Sequence, residues 1–318
     1  MEHLASKRRL WFTISIIAIV PGLISLVLFG LKQGIDFTGG TQLLLRFDQP
    51  ADTETIGDVL EGRGYDSYSV QTVQVDGGNG IQVRMPELRE GSAEKSDLYA
   101  ALGNEVGTFT ELEINTIGAS VGNAIRDRAV LAVGLASLGV LLFIGWAFRN
   151  TQNPWLYGTC AIVAMLHDVL IVVGIFSILG VVADVEIDAL FVTALLTVIG
   201  FSVHDTIVVF DRIRENLARH AAPTFEGVVD YSLAQTLVRS LNTSLTVVIT
   251  LLALYLFGGS STRNFVLALL LGVISGTYSS IFNASQLLVA WEEGEIQRFF
   301  GRIVGRGRSG GTAVAGNR

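Results

Sequence analysis

Residues 155–183 read WLYGTCAIVAMLHDVLIVVGIFSILGVVA, and these 29 residues contain a single charged side chain, Asp168. A helix needs about 20 mostly apolar residues to cross a hydrocarbon core about 30 Å thick. The run is longer than that, and the buried helices of soluble proteins rarely require such a length. The stretch therefore predicts a membrane-spanning helix.

Five further runs have the same character, and they lie at residues 10–31, 129–148, 189–210, 237–257 and 265–291. The whole chain is 50% hydrophobic and 16% charged, whereas a soluble globular chain carries about 25% charged residues. Its mean hydropathy is +0.51. We therefore predict a polytopic α-helical membrane protein with six transmembrane helices, and the composition argues against a soluble enzyme.

The first run, residues 10–31, has a cleaved signal peptide as its alternative interpretation. Its 22 uncharged residues exceed the usual apolar region of a signal peptide, about 7 to 15 residues, and no small-x-small cleavage site follows Leu31. We expect a retained helix.

The basic residues predict the orientation. A cytoplasmic N-terminus places 12 of the 22 basic residues in short cytoplasmic segments, as the positive-inside rule requires. Arg126 and Arg128, at the outer start of the second span, are exceptions to this distribution. We expect both termini in the cytoplasm.

Residues 32–127 form a long outer loop with 16 acidic and 7 basic residues. Alternating apolar residues predict strands, and helical spacing predicts two helices between them. The predicted elements are strand 41–48, helix 52–63, strand 67–75, a turn at 76–80, strand 81–85, helix 92–106 and strand 108–117. This β-α-β-β-α-β order is that of a ferredoxin-like α+β domain. Gly39 and Gly40 before it are interpreted as a turn.

The predicted organisation has four parts. Residues 1–31 are a cytoplasmic N-terminus and the first span, 32–127 the outer domain, 128–291 the second to sixth spans, and 292–318 a cytoplasmic tail. Residues 211–220 should continue the fourth helix, and the tail after Arg302 should be disordered.

The outer domain offers no recognisable catalytic or metal centre. It has neither histidine nor cysteine, so a zinc site or a Cys/His nucleophile is not expected there. Its net negative charge argues against nucleic acid as a partner, because binding phosphates requires a basic surface. We predict no enzymatic activity, no cofactor and no metal.

Ionisable side chains inside the spans are the strongest functional signal. His167 and Asp168 lie near the middle of the third span, and His204 and Asp205 lie in the inner half of the fourth. An aspartate at such a depth costs about 2.5 to 3.5 kcal/mol and normally faces the bundle interior or a water-filled path. Proton coupling is one interpretation, and neutral or paired side chains that only hold helices together are the other.

Arg239 is the only basic residue inside any of the six runs. It lies at a depth comparable to that of Asp205, so we expect it to be the counter-ion of Asp205. On the fifth span, four polar residues share a helix face with Arg239. On the fourth span, four residues share a face that lies close to Asp205. They are Asn242, Thr243, Thr246 and Thr250 on the fifth, and Thr193, Thr197, Gly200 and His204 on the fourth. Two facing stripes would form a hydrated seam, unless the threonines only lock helices together.

Small residues recur every four positions on the sixth span, at Gly272, Gly276, Ser280 and Ala284. This spacing predicts close packing against a neighbouring helix and indicates no chemistry.

Several of these motifs together resemble the SecF branch of the SecD/SecF family of bacterial protein-export proteins. They are GIDFTGGT at 34–41, HDV at 167–169, DTIVVFDRIREN at 205–216 and YLFGG at 255–259. The third motif is the most specific, and the resemblance runs over nearly the whole chain.

The resemblance implies an RND-type proton-driven transporter made of two six-helix halves, with SecD as the other half. It implies association with the SecY channel complex and with SecA, and an unfolded, translocating polypeptide as substrate. The key aspartate of the family matches Asp205 and its arginine matches Arg239. His204 stands where the family usually has asparagine, which adds a second candidate proton carrier.

The expected mechanism is a switch in protonation at Asp205. Desolvation favours the neutral carboxyl group and Arg239 favours the ionised one, so a change in helix packing would drive proton uptake or release. Two alternatives remain open from the residues. One is half of a proton-coupled small-molecule exporter, and the other is a membrane scaffold that conducts no ions.

Overall fold

A computed structural model describes residues 4–75, 78–89, 91–149, 151 and 153–298. Six helices in this part of the chain are long and apolar enough to cross a membrane, so the protein is a multi-pass membrane protein and the predicted fold class is confirmed. The spans are α1 (Arg8–Phe29), α5 (Ala119–Ala147), α6 (Pro154–Val182), α7 (Ala189–Ala218), α8 (Phe225–Phe257), and a sixth that comprises α9 (Arg263–Ser279), a π-helix (Ser280–Ala284) and α10 (Ser285–Glu292).

Three of the six spans form the centre of the bundle. In its most apolar window, the sixth span is 61% buried, α7 50% and α6 44%, whereas each of α1, α5 and α8 is 11% buried. α1 and α5 pack against α6, and α8 packs against α7 and α9. The intramembrane ionisable residues lie on α6, α7 and α8, so two of the three helices that carry them are central.

The outer domain follows α1 and a single helical turn, α2 (Ile35–Thr38). Its order β-α-β-β-α-β is confirmed. The elements are β1 (Gly40–Phe47), α3 (Thr53–Glu61), β2 (Ser69–Val75), β3 (Gly78–Met85), α4 (Ala93–Glu105) and β4 (Phe109–Ile117). All neighbouring strands are antiparallel in the order β2-β3-β1-β4, which is consistent with the predicted ferredoxin-like arrangement.

The core of this domain is apolar and closed. Leu43 and Leu45 of β1 are fully buried against Ile56 of α3 and Leu98 of α4. Alternate residues of a strand point to the same face, so β1 presents these leucines to the two helices. Each helix begins at a side-chain cap, Asp52 on α3 and Ser92 on α4.

Two helices begin well before the apolar runs that predicted them. α5 begins at Ala119, ten residues before its run, and α8 begins at Phe225, twelve residues before its run. The helical hydrogen bonds continue through polar turns that the hydropathy of the sequence does not detect. α7 continues to Ala218 beyond its apolar run, as predicted.

The Gly39–Gly40 turn joins the outer domain to α5. Both glycines have positive φ, 76° and 122°, and a Cβ atom on Gly39 would lie 2.7 Å from the Cα atom of Ala119. Only glycine fits both conditions, which confirms the predicted turn. The predicted turn at 76–80 lies partly, and the predicted disordered tail after Arg302 entirely, outside the described residues.

Candidate functional site

The Asp168 carboxylate is the most extensively hydrogen-bonded side chain inside the bundle. It is fully buried, and three serine hydroxyls donate to it at 2.6 to 2.7 Å: Ser202 of α7 and Ser279 of α9 to Oδ2, and Ser275 of α9 to Oδ1. The Nδ1 atom of His167 lies 3.0 Å from Oδ1. Asp168 therefore joins the three central spans at one point.

The close packing of α7 and α9 makes this junction possible. A Cβ atom on Gly272 would lie 2.0 Å from Cγ2 of Val198, and one on Gly276 would lie 3.2 Å from Cβ of Ser202. The two backbones approach each other where side chains are missing, which brings the serines of both helices to Asp168. The predicted packing role of the small residues in the sixth span is confirmed here.

His167 continues the polar cluster towards α1. Its ring stacks on Tyr278 with centroids 6.0 Å apart, and its Nε2 atom is buried without a hydrogen-bond partner among the described residues. The Tyr278 hydroxyl donates to the Trp11 carbonyl, and Ser15 of α1 donates to Asn283 in the π-helix. Polar groups therefore extend from Asp168 to the first span, beside a π-helix, which is a feature frequent at functional sites.

Asp205 is in a different environment on the same helix as Ser202. It is 4% exposed, and its Oδ2 atom is buried without a hydrogen-bond partner in the described part of the chain. Ser244 of α8 and the neighbouring His204 interact with the carboxylate. Thr277 of α9 donates to the Ser244 hydroxyl at 2.6 Å. Asp205 is thus a buried acid with unused acceptor capacity, beside a short polar row that joins α7, α8 and α9.

The expected pairing of Asp205 with Arg239 is absent from the structure. Both residues are described, and neither an ion pair nor a hydrogen bond joins them; Arg239 lies on the exposed face of α8. The buried face of α8 presents Thr236, Ser240 and Ser244 to the bundle instead. Arg239 precedes Ser240 by one residue, which is a rotation of about 100° around the helix axis. The predicted pairing rested on comparable depth along the two helices, and depth does not determine the direction of a side chain.

Both predicted polar stripes also lie on exposed faces rather than facing each other inside the chain. All eight stripe residues are exposed. The hydroxyls of Thr197, Thr243 and Thr250 donate to carbonyls of their own helices at 2.8 to 3.0 Å, so these threonines do not lock one helix to another. A polar surface that includes His204 and Arg239 is therefore available at membrane depth. The proton-coupling roles of His167, Asp168, His204, Asp205 and Arg239 stay predictions.

An ionic joint connects the outer domain to the segment before α7. Lys32 forms ion pairs with Asp184 and Glu186, and Glu186 also pairs with Arg84 of β3. Gln71 of β2 donates to Asp184. Burial lowers the pKa of Arg84, although acidic neighbours oppose this shift. The joint thus attaches the sheet to the loop between α6 and α7.

The same segment caps the helix that carries Asp205. The backbone N–H of Ala189 donates to Asp36 at 2.7 Å, and that of Phe191 donates to Asp188 at 2.8 Å. Burial raises the pKa of Asp188, although its backbone hydrogen bonds oppose this shift. Because Asp36 belongs to the GIDFTGGT segment, that motif binds the N-terminus of α7 directly.

Sequence reasoning missed the three serines around Asp168, and it missed Ser244. Ser275 and Ser279 are four residues apart, one helical turn, beside the stripe of small residues, and this spacing was the available signal. Within the residues that the structure describes, no group of three or more His, Cys, Asp or Glu side chains is arranged to hold a metal ion.

Two family profiles match the chain. The profile described as "Protein export membrane protein SecD/SecF, C-terminal" matches residues 99–294, and the one described as "SecD/SecF GG Motif" matches residues 24–51. The second range includes the turn at Gly39 and Gly40 and the cap residue Asp36.

Curated relatives and a solved structure agree with these matches. The chain is 54% identical over 309 residues to "Protein translocase subunit SecF" of Thermobaculum terrenum, covering 95% of this chain and 98% of that one. It is 34% identical to "Protein translocase subunit SecDF" of Bacillus subtilis, covering 92% and 38%. The crystal structure of SecDF, a translocon-associated membrane protein of Thermus thermophilus, superposes with a TM-score of 0.79 at 35% identity, covering 92% and 38%.

The chain therefore spans almost the whole of its SecF relative but little more than a third of each SecDF chain. The resemblance inferred from the motifs is confirmed over nearly the full length. The protein belongs to the SecD/SecF family of protein export membrane proteins.

Proposed function

We propose that this chain is the SecF-type half of a proton-driven protein translocase. With SecD, it would use the proton motive force to promote late steps of polypeptide translocation through the SecY channel, after SecA has driven insertion. The proposal places it in the bacterial cytoplasmic membrane with both termini in the cytoplasm. The proton is the coupling ion, and no enzymatic activity and no other cofactor is proposed.

One observation carries this proposal: Asp205 is buried with a carboxylate oxygen that no described residue hydrogen-bonds, while the adjacent His204 on α7 and Arg239 on α8 are exposed at membrane depth. An intramembrane arginine facing lipid costs about 2.5 to 3.5 kcal/mol, so such a surface is expected to face another protein or water. A second six-helix half would cover it, and the SecDF relatives are long enough to contain one, because the match covers only 38% of each of their chains.

Covering that surface gives a physical basis for coupling. Arg239 carries a charge that Asp205 does not contact in this arrangement, so a rotation of α8 or a hydrated contact with SecD would change the field at the carboxylate. A proton that crosses 100 mV releases about 2.3 kcal/mol, which is enough to bias two helix arrangements by nearly two orders of magnitude.

The joint at Lys32, Arg84 and Glu186 supports transmission to the outer domain. α7 carries Asp205 near its middle, and its outer end is capped by Asp36, which lies just before β1. A displacement of α7 would therefore reach the sheet through a short, hydrogen-bonded connection. His167 and Asp168 are proposed to take part by holding α7 against α6 and α9, and their own proton exchange is part of the same hypothesis.

The test is the substitution Asp205→Asn in cells that depend on this chain. Release of an exported protein into the medium or periplasm should lose its dependence on the proton motive force, with unchanged levels of the chain. Asp211→Asn is the matched control, because Asp211 lies on the same helix but is exposed and paired with Arg214. Full export by Asp205→Asn would contradict the proposal. Unchanged export but raised sensitivity to toxic compounds would favour the small-molecule exporter instead.

A further inference from the structure

An apolar groove opens between the segment that follows α1, the short helix α2, and the outer ends of α5, α6 and α7. It has a volume of about 290 Å³, and ten of its twelve lining residues are apolar, among them Leu31, Val133, Val173 and Leu195. The two polar residues of the lining are Gln33 and Arg126.

On α5, the lining begins at the charged residue Arg126 and continues with apolar residues to Val133. Arg126 lies on α5 seven residues before Val133, which corresponds to about 10 Å along the helix axis at about 1.5 Å per residue. Half of the hydrocarbon core is about 15 Å thick. The groove thus extends from the level expected of lipid headgroups into the apolar part of one leaflet.

Arg126 is available to an anion at the mouth of the groove. Its side chain is 49% exposed, and its Nε atom lies 3.6 Å from the Asp127 carboxylate. No hydrogen bond or ion pair joins its two terminal nitrogens to a described residue. Such a guanidinium can bind a phosphate group through two parallel N–H···O bonds. Arg126 and Arg128 are also the two residues that depart from the positive-inside distribution. Binding of an anion at the groove would account for the position of Arg126 on the outer side.

The groove faces away from the surface proposed for the second half. On α7, the groove is lined by Phe191, Val192 and Leu195, whereas the polar stripe runs from Thr193 to His204. At about 100° per residue, the mean directions of these two sets differ by about 165°. A partner that covers the polar stripe of α7 therefore leaves the groove open to lipid.

We propose that this groove binds one anionic phospholipid of the outer leaflet, with an acyl chain between α5 and α7 and its phosphate on Arg126. The polarity of the lining selects this occupant: the walls are apolar, and the single cation among the lining residues lies at the depth expected of headgroups. The assignment to the outer leaflet rests on the topology in the proposed function, but the existence of the site does not. Lipid binding is therefore tested separately from export.

The test is native mass spectrometry of the full-length chain, delipidated and then titrated with phosphatidylglycerol or phosphatidylcholine of the same acyl composition. Wild-type protein should retain one phosphatidylglycerol with about fivefold higher affinity than phosphatidylcholine, the effect of one cation near an anionic lipid. Arg126→Gln should remove this preference. Arg128→Gln is the matched control and should keep it, because Arg128 lies two residues away on α5 and does not line the groove.

A variant that fills the groove tests whether an acyl chain binds between α5 and α7. Val130 lines the groove and is 72% exposed, so Val130→Trp can be accommodated without repacking the bundle. It should lower the binding of both lipids. Equal lipid retention by Arg126→Gln and Arg128→Gln, or by Val130→Trp and wild type, would overturn the proposal.

Two further measurements distinguish a bound lipid from other occupants of the groove. Inorganic phosphate at millimolar concentration should not displace the lipid, and full displacement would reduce the site to a free-phosphate site. A photo-crosslinking residue at position 129 should label phospholipid in membranes. Labelling of an exported polypeptide instead of lipid would assign the groove to the substrate and contradict the proposal.

Discussion

The Ser202 hydroxyl donates a 2.6 Å hydrogen bond to the Asp168 carboxylate, and this bond joins α6 to α7 one helical turn before Asp205. Ser275 and Ser279 add the sixth span to the same carboxylate. Asp168 therefore fixes the position of α7, the helix that bears Asp205, although no hydrogen bond joins the two aspartates in the described part of the chain.

Removing the acceptor should cost more than removing any one donor. Ser275→Ala should lower the free energy of unfolding by about 1 kcal/mol, in the range found for hydrogen bonds between transmembrane helices. Asp168→Ala should lower it by about 3 kcal/mol or more, because three buried hydroxyls lose their acceptor. Unfolding of the purified chain in detergent and denaturant measures both. Ser137→Ala is the control, because Ser137 donates only to a carbonyl of its own helix; an equal loss in all three variants would contradict the junction.

Substituting Arg239 should separate stability from activity. Its guanidinium is exposed and forms no ion pair with a described residue, so Arg239→Gln should change the unfolding free energy of the isolated chain by less than about 0.5 kcal/mol. Export driven by the proton motive force should nevertheless be lost. Arg263→Gln, at the outer end of α9, is the control for both measurements and should preserve export. A large loss of stability in Arg239→Gln would mean that the arginine is paired inside the chain.

Closing the contact between α7 and α9 should destabilise the bundle. Gly272→Ala would place its Cβ atom 2.0 Å from Val198, and overpacking of this kind costs about 1 to 3 kcal/mol. Adding Val198→Ala should recover part of that loss. Gly200→Ala on α7 is the matched control, because no atom lies within 4 Å of its added Cβ. Thermal unfolding in detergent distinguishes these cases, and no recovery in the double variant would place the clash elsewhere.

The cap of α7 should make stability depend on pH. Burial raises the pKa of Asp188 in the folded protein, with the negative charge of Asp36 acting in the same direction. The folded state therefore holds this proton more tightly than the unfolded state. Its contribution is fully present below the pKa of an unfolded aspartate, about 3.9, and is lost as the pH rises through the raised folded value.

Asp188→Asn keeps an oxygen that can accept from Phe191 and removes the titrating group. It should raise the melting temperature at pH 7 and have little effect below about pH 4. Asp52→Asn at the exposed cap of α3 is the control. A larger effect of Asp188→Asn at acidic than at neutral pH would reverse the sign of this prediction.

The sequence was sufficient for the spans and the outer domain, since each follows from a local pattern. The apolar run at 155–183 locates α6 within one residue at each end, and alternation around Leu43 and Leu45 locates β1 within one residue. The early starts of α5 and α8 could not be read this way, because polar helical turns have no hydropathy signal.

The buried acids could be identified from the sequence, but the arrangement of their neighbours could not. A carboxylate in an apolar run is conspicuous, which identified Asp168 and Asp205. The partners of Asp168 are serines, and a serine in a transmembrane helix resembles a packing residue until the neighbouring helix is placed. The direction of Arg239 depends on the rotation of α8 about its axis, and packing against α7 and α9 sets that rotation.

The exposed polar face of α7 and α8 also bears on the fate of a copy made without the second half that the proposed function requires. Such an orphan would hold an arginine and a row of hydroxyl groups against lipid, a state that costs several kcal/mol and that assembly relieves. Membrane quality-control proteases can distinguish orphan from assembled copies on this basis, so the cellular abundance of the chain should follow that of the other half.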